Sequence, residues 1–121
     1  KLNITAIFLI EQIKDIMSAI RDTKTILSIF AGRIYDSGID AQENMKEINK
    51  FVHQNSKCQS LWASTRMSFD YISAINTNTD IITMQLSQIK KISGFGKSLS
   101  EYSRETVQQF FNDAKSCNFK I

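Results

Sequence analysis

A chain of 121 residues and 13.8 kDa is the size of one domain, long enough to bury a single hydrophobic core. Hydrophobic residues make up 42% and charged residues 22%, which excludes a disordered or fibrous chain, and zero prolines with four glycines argue against a turn-rich β-sandwich or barrel. The net charge of +3 comes from acids and bases mixed along the chain, so no concentrated basic face of the kind that binds nucleic acid is present.

The first segment reads as a long helix. Ala6, Ile13, Ile20, Leu27 and Ile34 recur at heptad spacing, with Leu9, Ile16, Thr23 and Phe30 between them. Gly38 stops it. Asp40 and Glu43 carry the Asp-x-x-Glu signal of a new helix, whose apolar face is Met45, Ile48, Phe51 and Val52. From Cys58 a second heptad-spaced stripe runs through Leu61, Thr65, Ser68, Ile72, Ile75, Thr79, Ile82, Leu86 and Ile89, with polar lapses at Thr65, Ser68 and Thr79. The polar run Asn76–Asp80 marks a kink within it. After Gly94 and Gly96, Ser98 and Glu101 form a capping box for a last helix, which carries Leu99, Tyr102, Thr106 and Phe110 and frays near Asn118.

These patterns predict an all-α fold: an elongated antiparallel helical bundle with coiled-coil-like packing. One domain, 1–121, comprises helices at about 3–35, 40–55, 57–92 and 98–116.

The chain starts at Lys1, which reads as a processed form with any signal peptide removed, and two cysteines in such a chain point to a disulfide. In a straight hairpin, however, Cys117 would sit level with Ile75, so a Cys58–Cys117 bridge requires a bend or an extended tail. With two cysteines and His53 as the sole histidine, ligands for a structural zinc are too few, and no metal or cofactor is expected.

Gly94-Phe95-Gly96-Lys97-Ser98 ends like a phosphate-binding loop but lacks the glycine seven residues before its serine, where Lys91 stands. Lys90, Lys91 and Lys97 make a small basic turn there. His53 has no orienting group in its vicinity, and the acids show no paired motif, so no enzyme is expected.

The strongest functional signal is surplus apolar surface. Ile4, Ile7, Phe8 and Ile10 are apolar around a whole helix, and the adjacent Phe110 and Phe111 need covering on two sides. The expectation is a non-enzymatic, extracytoplasmic interaction module, secreted or periplasmic. A secreted effector, a secretion-system component or an immunity-type inhibitor fits it. Its partner is another protein or a second copy, not nucleic acid, and a membrane surface is not required. Two alternatives stand: a ligand-sensing or hydrophobic-ligand carrier bundle, with the hydroxyl lapses lining a pocket, and the outer domain of a membrane-anchored receptor.

Overall fold

Among the described residues four short runs are extended rather than helical: β1 (Asn3–Ile7), β2 (Ile26–Ile29), β3 (Gln59–Trp62) and β4 (Ile81–Ile82). The structure, a computed structural model, describes residues 1–117, and the fraying expected near Asn118 lies outside them. The strands form one parallel sheet in the order β1-β2-β3-β4, with Ile4 opposite Leu27, Leu27 opposite Ser60, Ile29 opposite Trp62 and Trp62 opposite Ile82. Six helices alternate with them: α1 (Ile10–Ile20), α2 (Ala31–Asp36), α3 (Ala41–Asn55), α4 (Asp70–Asn76), α5 (Leu86–Ile92) and α6 (Leu99–Ser116).

The protein is therefore an α/β structure, and the expected all-α bundle is corrected. The span 3–35 is β1, α1, β2 and α2, and the span 57–92 is β3, α4, β4 and α5. The reason lies in Ile26-Leu27-Ser28-Ile29. A parallel strand covered on both faces reads as a continuous apolar run, and four residues cannot show whether their period is 2 or 3.6. The heptad positions fix neither element type nor burial throughout: Ile13 and Ile20 in α1, Leu27 in β2 and Ile34 in α2 share one core, while Ala6, Leu9, Ile75, Leu86 and Ile89 from the same stripes are exposed.

That core lies between the sheet and helices α1 to α4. Leu27, Ile29 and Trp62 meet Ile13, Met17, Ile34, Met45, Ile48, Val52 and Ala74. Along β2, Leu27 and Ile29 alternate with Ser28, which is buried on the opposite side and donates through Oγ to Asn3 Oδ1 at 2.7 Å. In β1 the register slips between Ile4 and Ile7, where Ala6 takes a left-handed φ of 58°, a bulge that returns Ile7 to the core. Gln12 Oε1 accepts from the backbone N–H of Phe8 and Leu9 at the start of α1. Asp40 caps α3 by accepting from the Gln42 N–H at 2.9 Å.

The residues expected as an interaction surface separate. Ile7 is in the core, Ile4, Phe8 and Ile10 pack partly against it, and Phe110 and Phe111 are exposed on α6. The N-terminal stretch is not one helix: it runs from β1 through Phe8 and Leu9 into Ile10, the first residue of α1. Cys58 and Cys117 are both free thiols: Cys58 is buried and lies 3.4 Å from the Ile20 carbonyl oxygen, while Cys117 is exposed at the end of α6. The disulfide expectation is corrected by this placement. Among the described residues no helix is long and apolar enough to cross a membrane.

Candidate functional site

In a parallel α/β sheet the segments that follow the strands converge on the edge formed by their C-terminal ends, and ligands bind there. At this edge the backbone ladder continues beyond the strands. Phe30 N donates to Ile7 O at 2.9 Å, Ala63 N to Ile29 O at 2.9 Å and Thr83 N to Trp62 O at 3.2 Å.

The chain turns directly from β2 into α2, and Gly32 makes the closest approach. A Cβ on Gly32 would lie 1.5 Å from the Ser64 carbonyl oxygen and 3.1 Å from Arg66 Nη1. Only a residue without a side chain lets α2 sit on the segment after β3. The next residue, Arg33, projects its guanidinium over the Phe30 ring, 6.0 Å from the centroid. Phe30 in turn packs against Phe8 with ring centroids 6.1 Å apart.

After β3, Ser64 adopts a left-handed φ of 66°, a strained conformation for a residue with a side chain. Arg66 then folds back. Its Nη1 donates to Ser64 O at 3.1 Å and to Ser64 Oγ at 2.9 Å, and its Nε donates to Asp36 Oδ1 at 3.1 Å while Nη2 donates to Asp36 Oδ2. Asp70, 1% exposed in the first turn of α4, accepts the backbone N–H of Arg66 at 2.7 Å and of Met67 at 3.2 Å. The fork of Arg66 on Asp36 holds that carboxyl below the usual carboxylate range, and the charge of Arg33 adds to the effect. Tyr35, its ring tilted against Trp62 with centroids 6.2 Å apart, has its hydroxyl pushed up by burial and then by the charges of Asp40 and Asp70.

Beside this cluster, Ser64, Thr65, Arg66, Thr83, Met84 and Gln85 line an open cavity of about 320 Å³ between the ends of β3 and β4. Its far wall is tied by Thr65 Oγ1 donating to Gln88 Oε1 at 2.7 Å and Ser68 Oγ donating to the Gln88 carbonyl oxygen at 2.9 Å. The hydroxyl lapses at Thr65 and Ser68 thus join α5 to the loop after β3. The Arg66 guanidinium and the Ser64 hydroxyl on this cavity are groups that can hydrogen-bond an oxyanion, and Arg33 follows Gly32, the residue that meets Ser64. Among the described residues, Arg33 has no carboxylate within ion-pair distance.

The basic turn and the histidine singled out from sequence lie elsewhere. Lys90 and Lys91 end α5, and Lys97 pairs with Glu105 and sits over the Tyr102 ring at 5.6 Å. His53 Nε2 meets Asp80 Oδ2 at 2.8 Å near the N-terminal ends of the strands, and the same oxygen accepts from Ser60 N at 2.8 Å. Arg33, Ser64 and Arg66 escaped sequence reading. Their one visible signal is that each follows a short apolar run, which identifies a rim only once those runs are known to be strands.

The family model for Transaldolase/Fructose-6-phosphate aldolase matches residues 1–121. A comparison with curated proteins finds no match. That family has a TIM-barrel-type fold, and its members are metabolic aldolase-type enzymes of the cytoplasm. The expectations of a non-enzymatic interaction module, of a carrier or receptor bundle, and of an extracytoplasmic location are corrected by this finding.

Proposed function

Because this chain belongs to the transaldolase/fructose-6-phosphate aldolase family, we propose that its C-terminal strand edge binds the phosphate group of a sugar phosphate in an aldolase-type reaction. The observation that carries the reading is the close approach of Gly32, the residue before Arg33, to Ser64 and Arg66, at the edge where parallel α/β folds place their sites. A phosphate dianion matches two guanidinium groups and a hydroxyl in charge and in hydrogen-bonding capacity.

Making or breaking a carbon–carbon bond next to a carbonyl also needs a group that takes up the electron pair, and a lysine amine is one that serves carbonyl substrates. Among the described residues no lysine stands in β1 to β4 or in the segments that directly follow them. Lys24 and Lys57 precede β2 and β3, at the opposite edge. The role of Arg33, Ser64 and Arg66 is accordingly to anchor and orient the end of the substrate remote from the bond that changes. Remote binding energy of this kind contributes to the rate by holding the reacting carbons in place.

The test is a titration of the full chain with fructose 6-phosphate and with fructose, followed by amide shifts at Arg33, Ser64 and Arg66. The phosphorylated sugar is expected to bind at these residues and the free sugar not to. Removing Arg33 and Arg66 together abolishes the shifts. Equal responses to both sugars, or none to either, would overturn the assignment.

A further inference from the structure

We infer that Asp36 is the positioning residue of this site, holding the Arg66 guanidinium in place for the incoming phosphate. The inference rests on the reading of the rim as a phosphate site and extends it to a residue that does not touch the ligand.

The argument is a count of donors. A guanidinium has five N–H groups. At least three of those on Arg66 are engaged: Nε and one Nη2 hydrogen on Asp36, and Nη1 on both oxygens of Ser64. One Nη2 hydrogen is left to donate outward. The side chain is 38% exposed, where an ion pair contributes little to stability. The backbone under it is held as well, by the buried Asp70 carboxylate and by the left-handed turn at Ser64. So many contacts on one partly exposed arginine stabilise the fold only slightly. What they remove is rotational freedom from a side chain that would otherwise lose it on binding.

The placement of Asp36 fits this role. It follows Gly32 by four residues, one helical turn, so the residue that lets α2 approach the loop after β3 and the carboxylate that grips Arg66 share a face of α2. Arg33 lies off that face, over Phe30, and is left for the ligand. Asp36 itself is exposed, so its replacement opens no cavity in the core.

The experiment titrates inorganic phosphate into the full chain, comparing wild type with Asp36→Asn, Asp36→Glu, Arg66→Ala and the double variant D36N/R66A. Asp36→Asn is expected to weaken phosphate binding about two- to tenfold, the cost of ordering one long side chain. The thermal midpoint should hardly move, and Asp36→Glu should recover part of the affinity. Because Asp36 acts through Arg66, adding D36N to R66A should cost nothing further. Asp36 also carries a negative charge, so if repulsion of the anion were its main effect D36N would bind phosphate more tightly. Tighter or unchanged binding by D36N, or a full further loss in the double variant, overturns the positioning role and leaves the phosphate site standing. Absence of phosphate binding by the wild type overturns both.

Discussion

The two ends of the sheet each carry a hydrogen-bonded charge cluster, and they use their carboxylates in opposite ways. Near the N-terminal ends, Asp80 accepts from the backbone N–H and the hydroxyl of Ser60, and pairs with His53. Asp80 N–H in turn donates to Ser60 Oγ at 3.3 Å. The cluster closes on itself and ties β3 to β4 and α3. At the C-terminal ends, Asp36 and Asp70 hold an arginine and the loop that bears it, while Arg33 and one N–H of Arg66 still point outward. The difference shows that charge density alone does not mark a site. A site is a cluster whose internal hydrogen bonds leave matched donors unspent.

The largest perturbation of that contrast is Gly32→Ala. The new methyl group would collide with the Ser64 carbonyl oxygen, which is backbone and cannot swing aside. A loss of about 3 kcal/mol or more is expected in denaturant unfolding, together with displacement of Arg66. Asp80→Ala acts at the other end. It leaves the buried Ser60 N–H without its partner and should cost about 1–2 kcal/mol. Phosphate binding at the opposite edge should be unchanged, and a parallel loss there would erase the distinction between the two clusters.

The smallest effect concerns acid. The folded-state pKa of Asp36 is below its unfolded value, so the pair with Arg66 adds stability that is present above the ordinary aspartate range. That stability is lost as pH falls through the depressed folded value. Carbon NMR of the Asp36 carboxyl should show a midpoint below that of an unperturbed aspartate, and Arg66→Ala should move it upward. An unchanged midpoint in R66A would mean that another group holds the carboxylate.

Part of the core was legible. Ile13, Ile20, Leu27 and Ile34 were marked by spacing and are buried, whereas Leu9, Ile75, Leu86 and Ile89 were marked in the same way and are exposed; the capping signals at Asp40 and Ser98 stand at the starts of α3 and α6. The site was not legible, since Asp36 and Arg66 are 30 residues apart and meet only because β2 and β3 are neighbours in the sheet. Neither residue belongs to a local motif. The segments that looked most like interaction surface, at Ile4–Ile10 and Phe110–Phe111, were singled out by hydrophobicity, which reports the need for cover and not the geometry that supplies it.

Where helices can begin follows from side-chain chemistry and local hydrogen bonding, so the linear order of residues determined it at Asp40 and Ser98. Whether Ile26–Ile29 is a strand depends on neighbours that donate and accept its backbone hydrogen bonds, and those neighbours come from residues 2–7 and 59–63. Only the assembled sheet decided that, and with it the edge that carries Arg33, Ser64 and Arg66.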